Sequence, residues 1–573
     1  MMIDHYCSNF VLRYEIKENK FMSMPLRKDV DKNLTWDLSL IYPTEEAFLA
    51  DMEKVKAMSA DIVKTFKGKL TDAKAINACL DEMQRMEEIL VLTIHYTDLA
   101  ASVDFTDAEI QQKNDKMMSL NAQVSSALSF IDTEIAALPD EVIRQAIEET
   151  KTNKGILKDI LERKPHMLSA ETERVLAAIA PVMSAPYNIY NMAKLADMKF
   201  DNFTACGEEF PLNYAIFENS YEYDARTEVR RAAAKAFYKK LGEYENVTAA
   251  AYNARVTQEK MVAGVRGYAS VFDYLLASQK VTREMYDRQI DLIMDKFAPH
   301  MRRYAELIKR VYKLDRITYA DLKVGVDPAF SPSTTIPEAH AMIREGLSCM
   351  GPEYQAMIDE AFDKRWIDFA RNVGKSTGGF CATPYGRGAF ILLSWYDKMS
   401  DVFTLAHELG HAGHFCSCNS TQSMADTDVS TYFVESPSTM NELLMAHYML
   451  GKNSDPRTRR FILSCMVGKT YYHNFVTHLL EAAYQREVYK IIDAGGSVQA
   501  ETLNKIYKDV LVKFWGDTVD IDDFAKRTWM RQPHYYMGLY SYTYSAGLTI
   551  ATQACKRIEK EGQVAVDDWK KVL

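Results

Sequence analysis

One stretch of the sequence combines residue types and spacing that could activate water: His407-Glu408-Leu409-Gly410-His411. On an α-helix, histidines four positions apart lie on the same face, so both imidazoles can reach one metal ion. Glu408 lies about 100° around that helix, where its carboxylate can take a proton from water without binding the metal. Zinc is the metal that such a ligand set favours. The motif therefore predicts a site for one Zn²⁺ per chain.

Two histidines leave zinc short of ligands, because a hydrolytic site needs a third protein ligand and one open position. His414 is a weak candidate, because one helix rarely supplies three ligands, and Ser417 stands where a longer histidine motif requires histidine. Cys416 and Cys418 are two positions apart, so a helix would point their thiols in different directions. Glu435, on a following helix, is the third ligand that we predict.

Glu442 follows Glu435 by seven residues, or two helical turns on the same face. A carboxylate at this position could orient one of the ligand histidines through its free ring nitrogen. A buried salt bridge is the equally weighted alternative.

A tyrosine-rich segment, Arg531 to Gly547, lies near the end of the sequence. Pro533 suits the first turn of a helix. On such a helix Tyr536, Tyr540 and Tyr544 would share one face and Tyr542 would point elsewhere. From the residues alone, a buried aromatic stripe is the favoured interpretation.

The glycine-rich segment between Gly374 and Trp395 predicts two short strands joined by a loop. A strand just before a metal-binding helix can present a free edge, with which an extended peptide could pair through its backbone. Gly378, Gly379 and Phe380 are the positions that we predict to contact such a peptide. An ordinary core hairpin is the alternative.

Composition narrows the class of protein. The 573 residues are 47% hydrophobic and 26% charged, which is typical of a soluble globular chain with two or three lobes. A formal net charge of −10 argues against nucleic acid as a main partner. No apolar run is long enough for a signal peptide or a membrane span. The odd number of cysteines, nine, indicates free thiols, so we expect a cytoplasmic protein.

Helical periodicity dominates the remainder and sets the predicted organisation. Helices are predicted from Thr44 to Phe66, from Asp72 to Ala101, and from a capping box at Thr106 toward Ala137. A hairpin at 198–212 marks the predicted domain boundary. The predicted organisation is an N-terminal extension (1–30), a helical lobe (31–196) and a catalytic domain (197–573).

The metal motif, followed by Phe433-Val434-Glu435-Ser436-Pro437-Ser438, resembles the thimet oligopeptidase family of zinc peptidases, and most of all its oligoendopeptidase F group. The resemblance covers nearly the whole chain from about residue 30. The other segments that carry it, in family order, are Trp36-Asp37-Leu38-Ser39, 222–240, Arg266-Gly267-Tyr268, 362–368, Gly374-Lys375 and 401–410.

The resemblance implies roles for individual residues. It makes His407, His411 and Glu435 the zinc ligands and Glu408 the general base, as the spacing also predicts. The family places a histidine and tyrosine donors on a C-terminal segment that faces the zinc. His534 and Tyr540 are therefore the predicted catalytic donors. Tyr542 and Tyr544 are alternative donors, and Tyr536, Tyr542 and Tyr544 are predicted substrate contacts. Met537 stands where these peptidases often carry tyrosine.

The implied fold is mostly α, with a zincin-like catalytic lobe that contains a small β-sheet and a helical N-terminal lobe, together enclosing a deep channel. The implied function is zinc-dependent hydrolysis of internal bonds in short unstructured oligopeptides. A zinc exopeptidase and a catalytically silent peptide-binding scaffold are the alternatives. An aminopeptidase would need an acidic anchor for the substrate amine, commonly in Gly-x-Met-Glu-Asn, which the sequence lacks. Family members usually continue beyond the position of Leu573, so we expect substrate preference or stability to differ if that segment lines the channel.

Overall fold

Helices make up most of the computed structural model, which describes residues 25–376 and 378–573. Most of the predicted extension, residues 1–24, lies outside the described residues. Arg27, from its remainder, donates a hydrogen bond of 3.0 Å to the carboxylate of Asp368. Within the described ranges, no helix is both long and apolar enough to cross a membrane.

The first three N-terminal helices begin at side-chain caps. Thr44 and Asp72, at which these helices were predicted to begin, accept hydrogen bonds from backbone N–H groups in the first turns of α1 and α2. The third cap is Asp107 rather than Thr106. The helices of this lobe are α1 (Glu45–Phe66), α2 (Ala73–Val103), α3 (Ala108–Leu128), α4 (Phe130–Ala136), α5 (Asp140–Glu149), α6 (Lys154–Arg163), α7 (Ala170–Met183) and α8 (Ala185–Asn191).

The helix predicted to run toward Ala137 is interrupted at Ser129, between α3 and α4. The Ser129 hydroxyl donates to the Ser126 carbonyl at 2.9 Å. A serine side chain that bonds to the backbone in this way competes with regular helical hydrogen bonding.

An antiparallel hairpin, β1 (Phe203–Ala205) and β2 (Glu208–Phe210), confirms the predicted hairpin. The helices that follow it are α9 (Tyr214–Asn219), α10 (Thr227–Glu243), α11 (Glu245–Val265), α12 (Val271–Ala277), α13 (Arg283–Leu292), α14 (Ala298–Val311), α15 (Ile336–Gly346) and α16 (Pro352–Asp363).

A three-stranded sheet precedes the metal motif. It consists of β3 (Ile367–Asp368), β4 (Phe380–Ala382) and β5 (Phe390–Leu392), in the order β3-β5-β4. β3 is parallel to β5, and β4 is antiparallel to it with Cys381 opposite Ile391. β4 is therefore an edge strand, and the two strands predicted around the glycine-rich loop are confirmed.

The central strand β5 joins two hydrophobic cores. Phe390 and Leu392 pack into the core of the N-terminal helices. Ala389, Ile391 and Leu393 pack into the core around the metal motif. Successive side chains of a strand point to opposite faces, so β5 is buried on both sides and ties the two lobes together.

The C-terminal helices begin with the one that carries the metal motif. They are α17 (Met399–Thr421), α18 (Glu435–Lys452), α19 (Pro456–Cys465), α20 (His478–Asp493), α21 (Ala500–Trp515), α22 (Tyr542–Glu561) and α23 (Gln563–Lys570). The mostly helical fold with small sheets is confirmed.

The helix predicted to begin at Pro533 and continue through the tyrosines is wrong. Pro533–Tyr536 forms only a short 3₁₀ turn. Gly538 then adopts a φ of +67°, which an α-helix cannot accommodate, and α22 begins only at Tyr542. The predicted shared face of Tyr536, Tyr540 and Tyr544 therefore does not exist.

Candidate active site

Close packing of α17 against α18 builds the site. A Cβ atom on Gly410 would lie 2.5 Å from the Pro437 carbonyl oxygen, so only glycine fits at this crossing. The Asn441 amide donates to the Ala406 carbonyl at 3.0 Å and links the same two helices. This approach places the first residue of α18, Glu435, beside the histidines of α17.

The three predicted metal ligands converge. Glu435 Oε2 lies 3.3 Å from His407 Nε2 and 3.5 Å from His411 Nε2. The Ser438 hydroxyl donates to the same carboxylate oxygen at 2.8 Å. Helix α22 packs closely against Glu435, since a Cβ atom on Gly547 would lie 2.7 Å from Glu435 Cβ. A nitrogen, nitrogen and oxygen donor set of this kind suits zinc.

Glu442 contacts a ligand histidine, as its spacing predicted. Its Oε1 lies 2.7 Å from His407 Nδ1, and the Thr470 hydroxyl donates to its Oε2. The contact orients the His407 ring so that Nε2 faces Glu435.

Charges in this cluster stabilise one another. Burial disfavours protonation of His407, but hydrogen bonds to Glu435 and Glu442 outweigh it and raise the pKa of His407 well above its usual value. Burial likewise favours the neutral acid of Glu435, but hydrogen bonds from His407 and His411 hold its pKa well below the usual range. The site thus keeps Glu435 ionised, the form that binds a cation.

Glu408 lies beside the metal ligands and is only 4% exposed. Its Oε2 has no hydrogen-bond partner among the described residues. Burial raises the pKa of Glu408, and attraction to the imidazoles of His407 and His411 opposes the rise. An unpaired, buried carboxylate of raised pKa is suited to accept and return a proton.

The glycine-rich strand runs directly past Glu408. A Cβ atom on Gly379 would lie 2.8 Å from Glu408 Oε1, so a side chain there would crowd the carboxylate. Gly378 has a φ of +87°, which favours glycine. The Phe380 ring instead packs near Trp36, with ring centroids 6.3 Å apart, at the edge of the N-terminal core. We therefore assign the Phe380 side chain to packing and retain only its backbone as a peptide contact.

His414 is buried one turn beyond His411, and burial lowers its pKa to about 4. It is not part of the cluster that His407, His411 and Glu435 form. Cys416 and Cys418 are free thiols.

The C-terminal segment brings only some of the predicted donors together. The ring centroid of Tyr540 lies 5.4 Å from that of His534 and 5.5 Å from that of Tyr544. Tyr536 instead stacks on Tyr190 with centroids 4.9 Å apart. Tyr542 is 1% exposed.

Tyr536 and Tyr542 are predicted substrate contacts that the structure does not support. The ring of Tyr536 belongs to the large hydrophobic core, and the hydroxyl of Tyr542 donates to Gln279. The two residues belong to different elements, since Tyr536 ends the 3₁₀ turn and Tyr542 begins α22. We therefore assign both tyrosines to core packing.

Sequence reasoning missed a buried group next to His534. Glu481 Oε2 lies 2.9 Å from His478 Nδ1 and 3.3 Å from His534 Nδ1. His478 Nε2 in turn lies 3.1 Å from His473 Nε2. A π-helical turn, His473–Thr477, lets residues five apart face each other. The histidine density of this segment was a signal, but its spacing matches no α-helical face.

Comparison with known proteins identifies the relatives of this chain. The family model described as peptidase family M3 matches residues 220–573, and a model described as oligopeptidase F matches residues 134–200. Oligopeptidase PepF of Bacillus subtilis is 30% identical over 558 residues, which cover 96% of this chain and 83% of the relative. An oligoendopeptidase F homolog of Lactococcus lactis is 25% identical and covers 93% and 89%.

Solved structures share the fold. The crystal structure of oligoendopeptidase-F from Enterococcus faecium has a TM-score of 0.69 at 23% identity and covers 92% of this chain and 89% of that one. PZ peptidase A has a TM-score of 0.69 at 17% identity and covers 91% and 90%. With a family model that spans more than half of its length, this chain belongs to peptidase family M3 and is a metallo-oligopeptidase.

Proposed function

We propose that this peptidase is a zinc-dependent endopeptidase that hydrolyses internal bonds of short, unstructured peptides. The observation that carries the proposal is the convergence of His407, His411 and Glu435, with the unpaired carboxylate of Glu408 beside them.

The donor set fits zinc in geometry as well as in chemistry. In a tetrahedral site with bonds of about 2.0–2.1 Å, neighbouring ligand atoms lie roughly 3.3 Å apart. The 3.3 and 3.5 Å separations between Glu435 and the histidines match that value. Glu442 would hold the His407 ring in its binding orientation. When bound, zinc supplies a Lewis acid that polarises a carbonyl and lowers the pKa of water toward neutrality.

Glu408 is the proposed general base. Its unpaired Oε2 accepts a proton from the attacking water, and its raised pKa lets it pass that proton to the departing amine. Water attacks the carbonyl carbon, the bond between carbon and nitrogen breaks, and a carboxylate and a free amine are released.

The free edge of β4 is the proposed guide for the peptide backbone. An extended peptide can add to an edge strand through main-chain hydrogen bonds, which recognise no particular side chain. Gly379 brings this backbone against Glu408, so a peptide paired beyond it would cross the carboxylate. This arrangement supports cleavage at internal bonds.

His534 and Tyr540 are the proposed donors to the oxygen that becomes negative during attack, with Tyr544 as the alternative tyrosine. Burial and the nearby charge of Glu435 raise the pKa of Tyr540 and of Tyr544, so both hydroxyls keep their protons. Donors fixed before the reaction stabilise such an oxyanion most effectively.

We also propose that the enzyme works in the cytoplasm, since its odd cysteine count leaves at least one thiol unpaired. The proposed substrates are peptides, and the acidic net charge disfavours nucleic acid.

A peptide-library digest read by mass spectrometry tests the function. Wild type should cleave internal bonds, including those of peptides blocked at both ends. Glu408→Gln should lose at least about 10³-fold in turnover while keeping its zinc. Glu259→Gln, which alters a carboxylate of similar burial (3% exposed), should cleave normally. Loss of all cleavage on blocking the ends would instead indicate an exopeptidase, and unaltered Glu408→Gln would indicate a silent scaffold.

A further inference from the structure

Glu481 is a carboxylate of α20 that is 1% exposed and has no place in the reaction described above. Its Oε2 accepts from the Ser541 hydroxyl at 2.9 Å and lies within 3.3 Å of both His478 Nδ1 and His534 Nδ1. One oxygen therefore contacts His478 of the same helix and both His534 and Ser541 of the C-terminal segment. Burying a carboxylate is costly unless such contacts compensate it.

The contact with His534 sets the orientation of that ring. A histidine that donates from Nδ1 to a carboxylate leaves Nε2 as the nitrogen that can face a substrate. Glu481 can thus fix which ring nitrogen of His534 is available to the substrate.

The contact with His478 extends to a proposed tyrosine donor. The Tyr544 ring stacks on the His478 ring with centroids 4.0 Å apart and an interplanar angle of 18°. His478 is itself fixed at both nitrogens, by Glu481 and by His473. The orientation of Tyr544 therefore depends on a histidine that Glu481 fixes.

The other oxygen of Glu481 faces no described donor. Oε1 lacks a hydrogen-bond partner among the described residues, and Glu481 lines an internal cavity of about 40 Å³. A cavity of this size is large enough for a water molecule.

We propose that Glu481 is a positioning residue of this peptidase, which orders His534 directly and Tyr544 through His478. The proposal rests on the proposed function, because Glu481 would orient the side chains that donate hydrogen bonds to the oxyanion. Glu481 does not touch the substrate; it acts by fixing the side chains that do.

Steady-state kinetics on a doubly blocked, internally quenched peptide test the proposal, with zinc-loaded enzyme. Glu481→Gln should lower kcat about 10–100-fold, change KM by less than about threefold, and leave one zinc per chain. Glu259→Gln is the control: Glu259 is a buried carboxylate that accepts a hydrogen bond from Tyr489, which lies on α20 as Glu481 does. This variant should keep kcat within about twofold.

A double-variant comparison separates positioning from general stability. If Glu481 acts through His534, adding Glu481→Gln to His534→Ala should lower kcat by much less than it does in the wild type. If Glu481→Gln lowers kcat by the same factor in the wild type and in His534→Ala, the proposal is wrong. It is also wrong if Glu481→Gln leaves kcat unchanged. The proposal would also be overturned if the wild type held two zinc ions per chain and Glu481→Gln only one. Glu481 would then form a metal site with His478 and His534.

Glu481→Asp covers the case in which Glu481→Gln does not fold. It keeps the buried charge but is one methylene too short to reach both imidazoles, so kcat should still fall by about tenfold; full activity would contradict the proposal. Failure of the proposed function looks different: wild type would not cleave, or Glu408→Gln would cleave normally. If Glu408→Gln is inactive but Glu481→Gln is fully active, only the positioning role of Glu481 is wrong.

Discussion

At the scale of single residues, the strongest structural support for a metal lies outside the ligands themselves. Glu442 has one oxygen on His407 Nδ1 and the other on Thr470. A carboxylate that fixes the ring and tautomer of a ligand histidine contributes to metal affinity without touching the metal.

We therefore expect Glu442→Gln to weaken zinc binding about 10–100-fold, measured by competition with a chelator of known affinity. Thr470→Val should weaken it less, because it frees only one oxygen of Glu442. Asp359→Asn is the matched control, since Asp359 contacts His340 at 2.9 Å in a pair that is not part of the candidate metal site. Equal zinc affinity in wild type and Glu442→Gln would contradict this role.

Residue spacing predicted the contacts that depend on one helix or on two successive helices. His407 and His411 follow from the helical period, and Glu442 follows from its seven-residue spacing from Glu435. Glu481 was not found in this way, because two of its three partners, His534 and Ser541, lie 53 and 60 residues away and only tertiary packing brings them to α20.

At the scale of elements, the site depends on how closely α17 and α18 approach. The crossing occurs at Gly410, where backbone atoms of Pro437 and Ser438 occupy the space of a side chain. Backbone cannot move away as a flexible side chain can, so any larger residue must push the helices apart. Since Glu435 begins α18, such a shift would move it from the histidines.

Gly410→Ala should therefore reduce the free energy of unfolding by about 1–3 kcal/mol and also weaken zinc binding. Gly451→Ala, on the partner helix α18 and with open space around it, should be neutral or stabilise the protein by up to about 1 kcal/mol. Denaturant unfolding and chelator competition measure the two effects. Unchanged zinc affinity in Gly410→Ala would show that the crossing does not position Glu435.

Sequence patterns predicted most elements but not every path between them. The starts of α1 and α2 depend on local features, and both were predicted correctly. The tyrosine segment failed because a repeat of every fourth residue favoured one long helix, whereas Gly538 at φ +67° redirects the chain. A glycine permits such a turn, but the sequence does not reveal that it is used.

At the scale of the whole molecule, the N-terminal lobe holds the strand that we propose binds the peptide. The Ser376 amide donates to the Ser102 carbonyl, and the Phe105 amide donates to the Gly374 carbonyl, both at 2.8 Å. These bonds lie just before Gly378 and Gly379. The division at residues 196 and 197 stays a prediction, and these bonds tie the N-terminal helices to the proposed binding site.

A peptide on the β4 edge must lie extended between these lobes, and we propose that folded proteins cannot enter. One scissile sequence should therefore be compared in a free blocked peptide, in a rigid element of a small folded domain, and in the same domain unfolded by a core substitution. The folded domain should be cleaved at least about 100-fold more slowly than the unfolded one, because cleavage then tracks its small unfolded population. Mass spectrometry measures all three rates. Equal rates for the folded and unfolded domains would mean that the lobes leave an open cleft, and the preference for short peptides would then have to arise from β4 itself.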